Sequence, residues 1–307
     1  MKVTVTGATG LIGSRIVEQL RARGDEVSVL SRDPDRARKA LGVEAHAWDP
    51  AEEAAPAAAL AGRDAVVNLL GENVAQRWSD DARRRIASSR EVGTRNLIAG
   101  LRAAQPRPAV LVSASASGYY GPHGDEPVTE EEPPAGDFLG ALCASWEAEA
   151  DAARELGMRV VRMRTGIVLD RNGGALGQML LPFRLGIGGP IAGGRHYMPW
   201  IAAADVAGMY LAALDGDDWS GPINVTAPEP VTNQEFSKAL GRALHRPAVA
   251  PIPALALKLL YGDMAQIILT GVRAVPARAQ ELGYRFRHPE LDEALSLIHI
   301  SEPTRPY

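Results

Sequence analysis

One cysteine, Cys143, in a chain of 307 residues excludes an internal disulfide framework. No His-x-x-x-His or Cys-x-x-Cys spacing occurs, so the common metal-ligand patterns are missing and no metal is expected. No run of five like charges is present, the net charge is only −4, and the pI is near 5.9. That balance carries no electrostatic footprint for nucleic acid or anionic lipid, which leaves small molecules as the expected partners. The opening residues hold no apolar stretch resembling a signal peptide or a membrane span, and the reading is a bacterial-type cytoplasmic protein. Oligomeric state is not legible at this level.

What is present begins at the N-terminus. Residues 3–13, Val-Thr-Val-Thr-Gly-Ala-Thr-Gly-Leu-Ile-Gly, place Gly7, Gly10 and Gly13 three apart, after an apolar strand and before a helix from about Ile12 to Arg23. Gly7 permits the sharp turn, Gly10 lets backbone approach a pyrophosphate, and Gly13 lets the helix pack on the sheet. The loop around Thr9 and the free amides at Leu11, Ile12 and Gly13 would face the phosphates. A dinucleotide site is predicted here.

Strand-like runs Val3–Thr6, Val27–Leu30, Ala65–Leu69, Ala109–Ser113 and Val160–Met163 alternate with helical stretches at about 34–41, 79–103 and 140–155. This alternation predicts an α/β fold with a Rossmann-like, doubly wound parallel sheet. Beyond residue 170 the pattern breaks into Gly-rich loops between helical segments at about 175–185 and 204–214. Thr232–Arg246 reads as a helix with Thr232 and Glu235 forming a capping box. The expected organisation is a nucleotide-binding domain over residues 1–170, its sheet completed by later segments, and a smaller mixed α/β substrate lobe over 171–294. Residues 295–307 resemble the translation of a sequencing adapter and are expected to be an assembly scar, disordered or adventitiously packed, with His299 given no role.

The second strand ends Val29-Leu30-Ser31-Arg32-Asp33. NAD-selective folds place an acid there for the ribose hydroxyls, whereas Arg32 can pair bidentately with a 2′-phosphate and Ser31 can add a hydroxyl. NADP(H) is therefore the expected cofactor. Asp33, before Pro34, can cap the next helix while Arg32 faces the nucleotide.

Asn68-Leu-Leu-Gly-Glu-Asn73, Arg77-Trp78, Ser113-Ala-Ser-Ala-Ser-Gly-Tyr-Tyr-Gly121, Leu142-Cys-Ala-Ser-Trp-Glu147 and Trp200-Ile201 resemble an atypical branch of the extended short-chain dehydrogenases/reductases. This branch is usually labelled "epimerase family protein". It also carries a C-terminal domain of unknown function, matched here by residues 224–236 and 276–283. The resemblance covers residues 1 to about 294. It implies that Asn68, Leu69, Leu70 and Gly71 run along the adenosine and its ribose. It also implies that Arg164, Thr165 and Gly166 line the nicotinamide pocket after the sixth strand.

Extended members use a Tyr-x-x-x-Lys pair, in which the tyrosine transfers a proton and the lysine lowers its pKa. Counting onto the corresponding helix places Leu142 and Trp146 there, and neither transfers a proton. Ser115 matches the family's serine or threonine partner, with Ser113 and Ser117 nearby; Ser115 alone could position a carbonyl but supplies no proton at a useful pKa. Tyr119, Tyr120, Cys143, Glu72 and His196 are the titratable substitutes, and Tyr119 is the first choice. Tyr120 before Gly121 also reads as a packed turn residue, Cys143 as a buried thiol, His196 as exposed, and Glu72 as a polar contact to cofactor or substrate. Arg90 stands where relatives carry an Asn of the proton relay, and it could instead reach a phosphate or acidic substrate.

For substrate contact the candidates are Arg77, Trp78, Tyr197 and Trp200. Arg77-Trp78 could bind an anion beside a stacking partner or anchor a surface loop; Tyr197 and Trp200 could stack on a ring or belong to the core. Asp205 reads as a helix cap. Two functions stand out: an NADP-dependent oxidoreductase or epimerase acting on a small carbonyl or sugar-like compound, and a non-catalytic NADP(H)-binding sensor. A scaffold with a vestigial loop is the third.

Overall fold

The computed structural model describes residues 1–299. The chain runs β1 (Lys2–Thr6), α1 (Leu11–Ala22), β2 (Glu26–Ser31), α2 (Pro34–Leu41), β3 (Glu44–Ala47), α3 (Ala57–Leu60), β4 (Ala65–Asn68), α4 (Asp80–Ala103), β5 (Val110–Ala116), α5 (Phe138–Asp151) and β6 (Arg159–Thr165). It continues through β7 (Ile167–Leu169), α6 (Gly174–Arg184), β8 (Tyr197–Met198), β9 (Trp200–Ala202), α7 (Ala203–Asp215), β10 (Gly221–Val225), β11 (Val231–Thr232) and α8 (Asn233–Ala243). Helices α9 (Ala254–Tyr261), α10 (Ala265–Leu269), α11 (Ala277–Glu281) and α12 (Leu291–Ser296) close the described chain.

Several helix ends follow directly from the sequence. The Asp33 carboxylate accepts from the Arg36 amide at 2.9 Å, Pro34 occupies the first turn, and Gly42 closes α2 at φ +64°. Ser79 and Asp137 cap α4 and α5 in the same way. At α8 the predicted capping box is formed: Thr232 Oγ1 accepts from the Glu235 amide while Glu235 accepts from the Thr232 amide.

Seven strands pair in the order β10-β6-β5-β4-β1-β2-β3, all parallel. Doubly wound topology follows: the chain moves outward from β1 to β3, then returns to β4 on the other side of β1. The carboxyl ends of β1 and β4 therefore flank the point where strand order reverses, where such sheets open a crevice. Alternate residues serve opposite faces. Val3, Val5, Val67 and Val112 join Ile16, Leu20, Tyr210 and Leu214 in one core, while Val66, Leu111 and Val160 join Leu60, Leu97 and Leu101 in the other.

β3 and β10 were not legible as strands. β3 is a four-residue edge strand without an apolar run, and β10 begins with Gly-Pro and gains its place only by pairing Gly221–Val225 with Val161–Thr165. A third cluster gathers Leu176, Leu180 and Phe183 of α6, Trp200 of β9, and Phe236 and Leu240 of α8. Leu295 and Ile298, within the stretch expected to be a scar, are buried in this same cluster. The remainder of that stretch, residues 300–307, lies outside the described residues. No helix among the described residues is long and apolar enough to cross a membrane.

Candidate functional site

The crevice begins at Gly7. Its φ of +64° and the 2.4 Å that would separate a Cβ from the Leu69 carbonyl oxygen leave no room for any other residue. Gly13 is closed in the same way, its virtual Cβ lying 2.4 Å from the Gly7 carbonyl oxygen. Gly10 differs, because a Cβ there would meet only that oxygen, at 3.3 Å. So two glycines pack the loop and the third presents bare backbone outward. Beyond Gly10 the twelve-residue α1 starts without a side-chain cap and without an acid in its first turn. Its free amides at Leu11, Ile12 and Gly13 make a site that fits a diphosphate.

A cleft of about 460 Å³ opens over this loop, lined by Gly7, Thr9, Gly10, Ser31, Arg32, Leu69, Leu70, Gly71 and Glu72. Arg36, Trp48, Asp49, Pro50, Ala51 and Ser89 also line it, and sequence reading missed them. Arg36 had a signal, since it lies in the first turn of α2, one helical turn past Arg32. The 48–51 segment had none, because its position depends on the unread β3. Arg32 and Arg36 are both exposed, whereas Asp33, the one acid at the end of β2, accepts the α2 amide. Ser31 lines the cleft, but its hydroxyl donates to the Asp33 carbonyl and accepts from the Asp33 amide, both at 3.1 Å. The hydroxyl shapes the turn at the edge of the cleft.

Several expected contacts turn inward instead. Asn68 is fully buried; its amide group donates to Thr94 and Ser113, both at 3.1 Å, and its Oδ1 accepts from Thr6 Oγ1 at 2.9 Å. Asn68 and Ser113 therefore clamp β1, β4, β5 and α4, because buried polar groups must find partners. Gly166, expected at the nicotinamide pocket, is half-buried and lies against Pro199. A Cβ there would lie 1.9 Å from the Pro199 carbonyl oxygen, so this glycine admits a backbone crossing. Thr165 is half-buried and donates to the Met163 carbonyl.

Arg164, expected at the nicotinamide, is 2% exposed and belongs to a buried network. It donates to Glu147 through Nε at 2.8 Å and Nη2 at 2.9 Å, and through Nη1 to Tyr120 Oη and the Glu130 carbonyl, each at 3.0 Å. Ser115 donates to Glu147 Oε1 at 2.7 Å and is buried as well. A hydroxyl so committed does not position a substrate carbonyl, which corrects the role given to Ser115. Tyr120 donates to Asn224 at 2.6 Å, and burial raises its pKa above the ordinary phenol value. Burial likewise pushes the Cys143 thiol up to about 12, and burial lowers His196. Tyr119 is half-buried, and its ring faces the Arg164 guanidinium at 3.5 Å.

Leu142 and Trp146, at the positions of the absent Tyr-x-x-x-Lys pair, are buried, and Trp146 donates to Thr94 Oγ1 at 3.1 Å. Arg90 from α4 lies over the Trp146 ring, 5.1 Å from its centroid.

The substrate candidates are dispersed. Trp200 is fully buried and donates to the Glu229 carbonyl at 3.0 Å, leaving no face for a ligand. Trp78 packs edge-on against Phe138 and donates to the Val74 carbonyl, anchoring its loop. Arg77 reaches the Leu259 carbonyl of α9, and Tyr197 lies under Arg273, 5.2 Å away. Asp205 is a cap of a longer-range kind, accepting the Arg287 and His288 amides at 2.7 and 3.0 Å.

The chain is similar over nearly its whole length to known proteins. The human epimerase family protein SDR39U1 is 38% identical over 303 residues, covering 97% of this chain and 99% of the human one. The Bacillus subtilis epimerase family protein YfhF is 35% identical over 305 residues, covering 99% and 100%. The crystal structure of human SDR39U1 with NADPH matches with a TM-score of 0.87 over 97% of this chain and 99% of that one, at 37% identity. A nucleoside-diphosphate sugar epimerase from Corynebacterium glutamicum matches with a TM-score of 0.78 at 31% identity, covering 96% of this chain and 57% of that one. The model of a domain of unknown function, DUF1731, matches residues 252–298. Residues 3–225 match the NAD dependent epimerase/dehydratase family, and the chain belongs to that family, in the branch named epimerase family protein.

Proposed function

We propose that this protein binds NADP(H) across the carboxyl ends of β1, β2 and β4 and uses it on a small carbonyl or sugar-like compound. One observation carries the cofactor choice: Arg32 and Arg36 both line the cleft beside the open backbone of Gly10, while Asp33 is held as a helix cap. The α1 amides take the diphosphate, the two guanidinium groups take the 2′-phosphate, and Leu69 to Glu72 run along the adenosine side. The human relative's crystal structure with NADPH supports the same choice. Bound nicotinamide supplies hydride transfer.

The protein's own part is to orient the substrate and to move a proton. Leu142, Trp146, Ser115, Tyr120 and Cys143 are excluded as proton donors by their chemistry or their burial, and of the remaining candidates, Glu72, His196 and Tyr119, the reading takes Tyr119. Its ring plane is fixed by Arg164, itself held by Glu147, so the phenol is presented from the turn after β5 on a rigid support. Tyr119→Phe is expected to lower kcat at least a hundredfold with little change in NADPH affinity.

A second reading, binding without turnover, is favoured by the apolar pair at positions 142 and 146. It predicts unequal affinities for NADPH and NADP⁺ with no product from any carbonyl tested.

Fluorescence titration with NADPH and NADH, comparing wild type with Arg32→Ala, tests the cofactor assignment. NADPH is expected to bind at least tenfold more tightly, with the variant losing about 1.4 kcal/mol or more of that preference. No binding of either nucleotide would overturn both readings.

A further inference from the structure

Arg90 has chemistry left over. It is half-buried on α4, and its Nη1 donates to the Ile86 carbonyl at 3.1 Å and reaches Ser89 Oγ at 3.5 Å. Among the described residues no carboxylate lies within 4.0 Å of its guanidinium, and Nε and Nη2 have no protein partner. Glu72 and Cys143 are the ionisable groups close enough to act on it electrostatically. Several other shielded arginines are paired with carboxylates, although Arg159 donates only to the Ala213, Leu214 and Trp219 carbonyls and Arg273 lies over Tyr197 with its Nε unsatisfied. Arg15 pairs with Asp170, Arg63 with Glu26 and Glu44, and Arg162 and Arg164 with Glu147.

The surroundings hold Arg90 in place without neutralising it. Its guanidinium lies over the Trp146 face, and a Cβ on Gly71 would come within 2.9 Å of Nη2, so the absence of a side chain at Gly71 makes room for it. Gly71, Glu72 and Ser89 line the cleft, while Trp146 belongs to α5. A guanidinium whose Nε–Nη2 edge is free, backed by an aromatic ring, is a bidentate receptor for a planar or tetrahedral oxyanion. An unpaired cation in a shielded position is costly, and a ligand anion relieves that cost.

We propose that Arg90 binds an anionic group, carboxylate or phosphate, of the substrate, so that the substrate of this protein is an acidic carbonyl compound. This rests on the cofactor site assigned above and adds the substrate class to it.

The test uses the full chain, ¹⁵N-labelled, with and without saturating NADPH. Glyoxylate and inorganic phosphate are the probes, and the Arg90 Nε–H resonance, identified by its loss in Arg90→Gln, is the readout. The expected result is a saturable shift of that resonance with either probe, at millimolar concentration. Glyoxylate or phosphate binding, followed in parallel by tryptophan fluorescence, should weaken at least tenfold in Arg90→Gln and by less in Arg90→Lys, which keeps the charge but loses the bidentate fork. No shift with either probe up to about 50 mM overturns the proposal. A tenfold loss of NADPH affinity in Arg90→Gln also overturns it, because the anion held would then be the cofactor's own phosphate. If wild type fails to bind NADPH, the cofactor reading fails separately, and the titrations without nucleotide still decide the role of Arg90. Matching melting temperatures of the two variants and wild type exclude misfolding as the cause of a loss.

Discussion

The guanidinium of Arg164 lies 3.5 Å from the centre of the Tyr119 ring, and the same group makes two hydrogen bonds to the Glu147 carboxylate. One buried cation thus joins β6 to α5 and to the turn after β5. Its pairing decides both stability and the placement of the proposed proton donor.

Removing the carboxylate while leaving the cation is expected to be severe. Glu147→Ala strands Arg164 in the interior and should cost about 3–5 kcal/mol, read by urea denaturation. Ser115→Ala removes one neutral donor from the same carboxylate and should cost only about 1–2 kcal/mol. Equal losses below about 1 kcal/mol for both would show that the network contributes little.

The glycines of the first loop should separate folding from binding. Gly13→Ala places a Cβ 2.4 Å from the Gly7 carbonyl oxygen, and the overpacking should cost about 1–3 kcal/mol. Gly10→Ala meets only that oxygen at 3.3 Å, so it should melt near wild type yet lose most NADPH affinity. A Gly10→Ala protein that binds NADPH normally would argue against the phosphate site.

Cys143 should resist alkylation. With its thiol pushed up to about 12 by burial, the thiolate is scarce at pH 8. Iodoacetamide labelling followed by mass spectrometry should detect modification only after denaturant is added. Rapid labelling of the native protein would contradict the burial.

The capping box of α8 gives a pH signature. The Glu235 pKa is lowered, chiefly by the hydrogen bond from the Thr232 backbone amide. A depressed carboxylate stabilises the fold above its unfolded pKa and loses that contribution as pH falls through the folded value. Glu235→Gln should therefore be less stable than wild type at pH 7, with the gap narrowing on acidification below about pH 4.5. A gap that widens on acidification would reverse the assignment.

Local features of this chain were legible because their causes are local. Asp33-Pro34 and Gly42 bound α2 at the expected residues, Thr232 and Glu235 close the box, and the three-glycine spacing marks the loop over which the cleft opens. The apolar runs of β1, β2, β4, β5 and β6 carried the α/β class, because strands covered on both faces need little else.

The direction in which each polar side chain points was not legible. Asn68, Ser113, Ser115 and Arg164 occupy the strand ends where a site was expected, but burial obliges each to find a partner, and the partners are distant in sequence: Thr94, Glu147, Tyr120 and Glu130. β10 similarly waits on β6 for its register. The sequence alone determined where the chain turns, caps and opens its glycine loop, since those are short-range steric and hydrogen-bonding constraints. Tertiary structure alone decided which charges neutralise one another in the interior and which, like Arg90, have no carboxylate partner within 4.0 Å among the described residues, because pairing depends on distances that only packing sets.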